Sequence, residues 1–237
     1  MSTATADRRP VPRQTLLARL AACLRPESLI TEAESQRPFE CDALSLYRDL
    51  PLAVVLPETA AQVAEVLSIC HELDVPVVTR GSGTGLTAGS MPHPEGVLLV
   101  LSKLDRILEI DPVARIARVQ PGVSNLSISE AAAEFGLYFA PDPSSQIACS
   151  IGGNLASNSG GVHCLKYGLT VHNVLSAEVI TVAGERMTLG SDGLDSPGYD
   201  LLALFTGSEG LLGVAVEITV RLLPTPEQAR VLMAGFD

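Results

Sequence analysis

The stretch RGSGTGLTAGSMP runs from Arg80 to Pro92, and its residue types can bind phosphate. Gly81, Gly83 and Gly85 alternate, and Gly89 follows. Glycine reaches positive φ at no steric cost, so successive N–H groups of such a loop can converge on an anion. Ser82 and Thr84 add hydroxyl donors, and Leu86 is apolar enough to pack beneath the turn. Three phosphate chemistries compete with a plain turn between strands. A triphosphatase loop needs a Gly-Lys pair, and the sequence has none. A dinucleotide fingerprint is met formally by GTGLTA from Gly83, but that motif must open a helix. Gly89, Pro92, Pro94 and Gly96 follow instead, and they cannot carry one. The third form is a nest of loop backbone alone, which needs no helix.

Two further segments share this character. PDPSSQIACSIGGNLASNSGGVHCLKYG covers 141–168 and holds the pairs Gly152-Gly153 and Gly160-Gly161. Asn154, Ser157, Asn158 and Ser159 lie between the pairs. TGSEGLLGV, residues 206–214, sets Gly207, Gly210 and Gly213 before a strand. Many polar groups and little bulk suit a flat ligand that the backbone approaches closely. Together the three segments point to a dinucleotide. His163 and Cys164 are adjacent, and adjacency does not make a catalytic pair, whose members normally meet from distant positions. The four histidines form no H-x-H or H-x-x-x-H pair, so no metal site is expected.

The elements that must position these loops read as α/β. Residues 53–56 read as a strand. Thr59 with Gln62 forms a capping box for a helix whose apolar face is Val63, Val66, Leu67 and Cys70. A strand at 75–79 feeds the glycine loop, making a strand–helix–strand unit with parallel pairing. VLLVL at 97–101 reads as a strand buried on both faces. Residues 106–111 and 115–120 read as a hairpin, and 125–135 as a helix ended by Gly136. The long stretch 141–168 shows no periodicity, which is uncommon unless functional. Strands follow at 177–182 and 187–189, then a short helix at 199–205 and a last strand at 214–222, ended by Pro224.

The chain has 237 residues, 46% hydrophobic and 18% charged, enough for a buried core. A net charge of −11 with Lys103 and Lys166 as the only lysines argues against non-specific nucleic-acid binding. Cys23, Cys41, Cys70, Cys149 and Cys164 are scattered and form no C-x-x-C, as expected of free thiols in a reducing cytosol. No apolar run approaches a membrane span. Arg8-Arg9 resembles a twin-arginine signal, but Arg13, Arg19 and Arg25 break the apolar run that would follow. Leu16, Leu17, Leu20 and Leu24 have helical spacing and read as a surface amphipathic helix.

In order, the helix start at Pro57, RGSGTGL, PDPSS, IGGNLASNSGG, KYG and GSEGLLGV resemble the vanillyl-alcohol-oxidase-type FAD domain, also called the p-cresol-methylhydroxylase (PCMH) type. Within it, the sequence is similar to the FAD-binding subunits of glycolate oxidases and to FAD-linked D-lactate dehydrogenases. The resemblance runs from about 50 to 223. Ser159 stands where the family often has Ala, and Ser90 where it often has Gly.

This resemblance implies an α/β (α+β) fold of two subdomains. One is small, with a parallel βαβ unit; the other is a larger mixed or antiparallel sheet with flanking helices. It divides the chain into a helical extension at 1–49, the FAD-binding domain at 50–224, and the start of a linker at 225–237. It implies that Arg80, Gly81, Ser82, Gly83, Thr84, Gly85 and Leu86 meet the FAD pyrophosphate. Pro141, Asp142, Ser145, Ser150, Ile151, Gly152, Gly153, Asn154, Ser157, Asn158, Gly160 and Gly161 would follow the flavin, ribityl and phosphate path. Tyr167 would pack near the flavin, and Glu209, Gly210, Gly213 and Val214 would approach the adenosine or flavin edge. Family members that bond flavin covalently use a histidine in the first loop; Thr84 stands there, which implies non-covalent FAD. The implied reaction is oxidation of a 2-hydroxy acid, with electrons passing to an iron–sulfur partner subunit or to quinone, and a second FAD-binding subunit in the complex. The implied location is the cytoplasm, including the periphery of the inner membrane. The family takes its metal and catalytic base from a C-terminal substrate domain. No histidine follows His172, so the sequence reads as a cofactor half, either a fragment or a non-catalytic assembly module. A nicotinamide-binding enzyme and a non-enzymatic interaction domain remain as alternatives.

Overall fold

The computed structural model describes residues 13–193, 198–228 and 230–236. Arg8 and Arg9 lie outside them. The chain opens with α1 (Arg13–Cys23), β1 (Leu29–Ile30) and α2 (Ala33–Gln36), followed by β2 (Ala53–Val55), α3 (Ala60–Glu72), β3 (Val77–Arg80) and β4 (Val97–Val100). These strands make a four-stranded sheet in the order β1-β2-β4-β3. Thr59 caps α3 by accepting from the Gln62 N–H at 3.2 Å, while the Gln62 carboxamide returns to the Glu58 N–H at 2.7 Å. The expected βαβ unit is present, with one correction. β2 and β3 are not neighbours; both pair in parallel with β4, which lies between them. β4 is buried along its whole length, as a central strand covered on both faces requires.

Residues 13–49 are more than a helical extension. Leu16 and Leu20 are fully buried and join Val63, Val66 and Leu67 of α3 in one core, while Arg13, Gln14, Thr15, Ala18, Ala21 and Ala22 stay exposed, so α1 is the surface amphipathic helix that the leucine spacing predicts, packed on the body. β1 pairs antiparallel with β2 and extends the sheet.

The second unit follows as β5 (Ile107–Asp111), β6 (Ile116–Val119), α4 (Asn125–Ala132), β7 (Leu137–Tyr138), α5 (Ile151–Ser157), α6 (Cys164–Tyr167), β8 (Val174–Ile180), β9 (Arg186–Gly190), α7 (Leu201–Phe205), β10 (Val214–Arg221) and β11 (Leu223–Pro224). Its main sheet is antiparallel throughout, in the order β5-β6-β10-β8-β9. Ile128, Ile151 and Leu155 from α4 and α5 pack on one face with Val119, Ile218 and Val220. Gly136 ends the α4 region at φ 66, as a left-handed cap. Two expectations are corrected here. The stretch 141–168 holds α5 and α6, which are too short for periodicity to reveal. Pro224 does not end the pairing, because β11 lies against β7.

The two units share a core. Ile180, Val214 and Val216 of the second sheet pack with Val97 and Leu99 of the first. The loops after β3, before α5 and before β10 converge beside this junction.

Candidate functional site

A cavity of about 230 Å3 opens along these loops. Its wall takes Arg80, Gly81, Ser82, Gly83, Thr84, Gly85 and Leu86 from the loop after β3. The opposite wall has Ser145, Ser150, Gly152, Gly153, Asn154 and Ser157, and Glu209, Gly210, Gly213 and Val214 close one end. Three glycine segments far apart in sequence therefore face one space.

The local fold explains the glycines. Ser150 caps α5, accepting from the Gly153 N–H at 3.3 Å, and its hydroxyl fills the place where a Gly81 side chain would stand. A Gly152 side chain would strike Pro121. Gly210, at φ 81, lies against Thr79. The walls touch through backbone, which holds the loops close to each other and to any ligand between them.

The hydrogen-bond inventory distinguishes the loop from the helix end facing it. Among the described residues, no acceptor takes a backbone N–H from residues 81 to 90. At the start of α5, by contrast, the Ile151 N–H goes to Val123 O, Gly152 to Pro121 O and Gly153 to Ser150. The free donors belong to the loop. Further buried polar atoms are unpaired: Asp42 Oδ2, Asn154 Nδ2 and Ser208 Oγ, all on residues that line the cavity. Buried polar groups are normally paired. Free amides, a buried amide donor and a hydroxyl are the complement of a phosphate- and hydroxyl-rich ligand.

Some expected residues stand elsewhere. Pro141, Asp142, Ile151, Asn158, Gly160, Gly161 and Tyr167 do not line the cavity. Ile151 is fully buried in the core, and Asn158 ends α5 in the left-handed region at φ 48. Gly160 backs onto Cys164 and Leu169, and Gly161 onto Asp142. Tyr167 packs edge-on to Tyr138 at 6.3 Å. Burial pushes the Tyr138 phenol up to about 12, while the hydrogen bond from Tyr138 lowers that of Tyr167. Leu86 is 69% exposed and does not pack under the loop. His163 turns to Asp142, Nδ1 to Oδ2 at 2.6 Å, whereas the Cys164 sulfur accepts from the Gly161 N–H at 2.9 Å, so the two do not form a pair. Sequence reasoning missed Asp42, Thr87, Pro121, Cys149, Phe205 and Ser208 in the lining. Thr87, Cys149 and Ser208 lie inside the three glycine-rich segments; Asp42, Pro121 and Phe205 carry no local signal.

Among the described residues, no group of three or more His, Cys, Asp and Glu could hold a metal ion. No helix among them is long and apolar enough to cross a membrane.

A family model described as an FAD binding domain matches residues 51–190. The chain belongs to that family, and FAD is the cofactor the site is built for. The relatives narrow the class. The chain is 61% identical over 227 residues to glycolate oxidase subunit GlcD of Escherichia coli strain K12, covering 96% of this chain and 46% of the relative. It is 40% identical over 213 residues to GlcD of Bacillus subtilis, covering 90% and 45%. A D-lactate dehydrogenase of Anaerostipes hadrus is 32% identical over 216 residues, covering 90% and 45%. The chain thus spans about half the length of these relatives. A solved alkyldihydroxyacetonephosphate synthase has the same fold, with a TM-score of 0.82 at 21% identity over 94% of this chain and 42% of that one.

Proposed function

We propose that this chain is the FAD-binding part of a flavin-dependent oxidoreductase of 2-hydroxy acids, with glycolate or D-lactate as substrate. The observation that carries this is the run of unpaired N–H groups at residues 81–90, in one cavity with the unpaired Asn154 and Ser208. The names of the relatives support the substrate class. Gly81 to Gly85 would hold the pyrophosphate through backbone N–H groups, with Ser82 and Thr84 as hydroxyl donors. Ser145, Ser150, Gly152, Gly153, Asn154 and Ser157 would line the path of the rest of the dinucleotide. Glu209, Gly210, Gly213 and Val214 would close the adenosine or flavin edge. Pro141, Asp142, Ile151, Asn158, Gly160, Gly161 and Tyr167 would act as supports behind that path. Thr84 favours FAD held without a covalent bond. The domain carrying this work would be residues 50–224.

Bound there, FAD would supply a two-electron acceptor for oxidation of the hydroxyl-bearing carbon of the substrate. The chain's own part is to bind, orient and partly desolvate that cofactor. Electrons would pass to an iron–sulfur subunit in a complex with a second FAD-binding subunit, in the cytoplasm and at the inner-membrane surface.

The purified chain should be yellow and release FAD on acid precipitation. A colourless preparation that takes up no added FAD would sink the reading. A second reading, a cofactor-binding module with no turnover of its own, has one observation in its favour. Among the described residues the cavity wall has no histidine, lysine or tyrosine to take the hydroxyl proton, and of its two carboxylates Asp42 is buried and Glu209 accepts from the Thr87 hydroxyl. Dye reduction with glycolate and D-lactate separates the two readings.

A further inference from the structure

Asp42 lies outside the matched family segment at 51–190, yet it lines the cavity of the glycine loops. The residue is 6% exposed, and its two carboxylate oxygens differ. Oδ1 accepts the Leu44 N–H at 2.8 Å, a side-chain turn that fixes the backbone around Ala43. The Ala43 N–H in turn donates to Gly85 O at 3.0 Å. Oδ2 has no hydrogen-bond partner among the described residues. It stands 3.9 Å from the place a Gly85 side chain would take, so the carboxylate lies against the loop where the loop carries no bulk.

Among the described residues, no cation lies within ion-pair distance of Asp42. Arg80 is the charge nearby, but its Nη1 is committed to the Cys41 carbonyl at 2.7 Å. Glu209, the other carboxylate of the wall, already accepts from the Thr87 hydroxyl at 3.4 Å. The remaining free groups beside Asp42 are donors, the N–H groups of residues 81–90 and the Asn154 amide. An ionised carboxylate accepts hydrogen bonds and donates none. A buried one without a donor is costly; a ligand hydroxyl would remove that cost, and a phosphate oxygen would add repulsion to it.

We infer that Asp42 is a specificity-determining residue of the cavity. Its free oxygen accepts a sugar hydroxyl of the dinucleotide, on the ribose or on the ribityl chain, and bars a phosphate from that place. The inference rests on the reading that the cavity holds FAD. It gives a part in cofactor selection to a residue that precedes the matched family segment.

The test uses the whole chain, freed of flavin, and calorimetry with two pairs of probes. ADP and its ribose-dideoxy analogue differ in the ribose hydroxyls. Riboflavin and lumiflavin differ in the ribityl chain. Asp42→Asn keeps a carbonyl oxygen for the Leu44 N–H and replaces the free oxygen by an amide donor. In one pair, the preference for the hydroxyl-bearing probe should fall about tenfold or more, the scale of one hydrogen bond to a charged group. In the other pair it should stay within about twofold of the parent, so the pair that responds names the sugar. Two unchanged preferences would overturn the inference. So would an Asp42→Asn protein that binds ADP or FAD more tightly, because that result places a phosphate beside residue 42. Should the variant fail to fold, the parent decides. A preference of about tenfold or more in one pair supports the inference, and equal affinities within both pairs refute it. A parent chain that binds neither FAD, ADP nor riboflavin refutes the FAD reading and the inference together, whereas a parent that binds FAD while Asp42→Asn changes neither preference refutes the inference alone.

Discussion

Gly81→Ala tests whether the cavity walls meet as described. The new methyl would land on the Ser150 hydroxyl, the group that caps α5 through the Gly153 N–H. Turning that hydroxyl away loses an N-cap, about 1 kcal/mol. Forcing a methyl into a packed contact adds about 1–3 kcal/mol. Restricting the unfolded chain returns about 0.4–1 kcal/mol. The net loss is then about 1–3 kcal/mol. Ser150→Ala alone should cost only the cap, about 1 kcal/mol. In the double variant the methyl faces the residue 150 Cβ and the Gly153 nitrogen at 3.5 Å each, an ordinary contact. The double variant should therefore be no less stable than Ser150→Ala. Urea unfolding of the four proteins gives the coupling, expected at about 1–3 kcal/mol. FAD titration should follow the same order. Simple additivity, or a Gly81→Ala protein as stable as the parent, would refute the contact and the wall geometry drawn from it.

Ser208→Ala removes a buried hydroxyl with no partner, so thermal stability should hold or rise, while FAD affinity falls about two- to tenfold in the same titration. Leu16→Ala should destabilise the chain by about 2–5 kcal/mol in urea unfolding, because Leu16 is fully buried against α3; a loss under about 0.5 kcal/mol would make α1 a dispensable extension. Lys103, then Arg25, holds the Glu58 carboxylate below the usual range. A depressed carboxylate stabilises above its unfolded pKa of about 4.3 and loses that effect as pH falls through the folded value. Glu58→Gln should thus narrow its stability gap from the parent as pH drops below about 4.3; a gap unchanged down to pH 2 would contradict the ion pair.

The parts legible in the sequence are those set by near neighbours. Thr59 and Gln62 mark the start of α3 because a cap is made within four residues. Val97 to Val100 reads as a buried strand because an unbroken apolar run has no face to give to water. Gly136 ends its helix because the chain itself must turn through positive φ there. The glycine loop was readable for the same reason, since Pro92 and Pro94 forbid the helix that a nicotinamide site requires.

The rest depended on partners far along the chain. Nothing near β2 or β3 says that β4 will enter between them; that follows from burying Leu98 and Leu99 on both faces at once. The short helix α5 is held by Ile151 and Leu155, buried in one core with Ile218 and Val220 of β10, not by a local pattern. Nothing local to Arg80 shows that its guanidinium turns under Gly83 and ties to the Cys41 carbonyl, 39 residues earlier. Local chemistry alone determined which residues can cradle a phosphate. Only packing decided which of them face the cavity, because that depends on which polar groups the folded chain leaves without a partner.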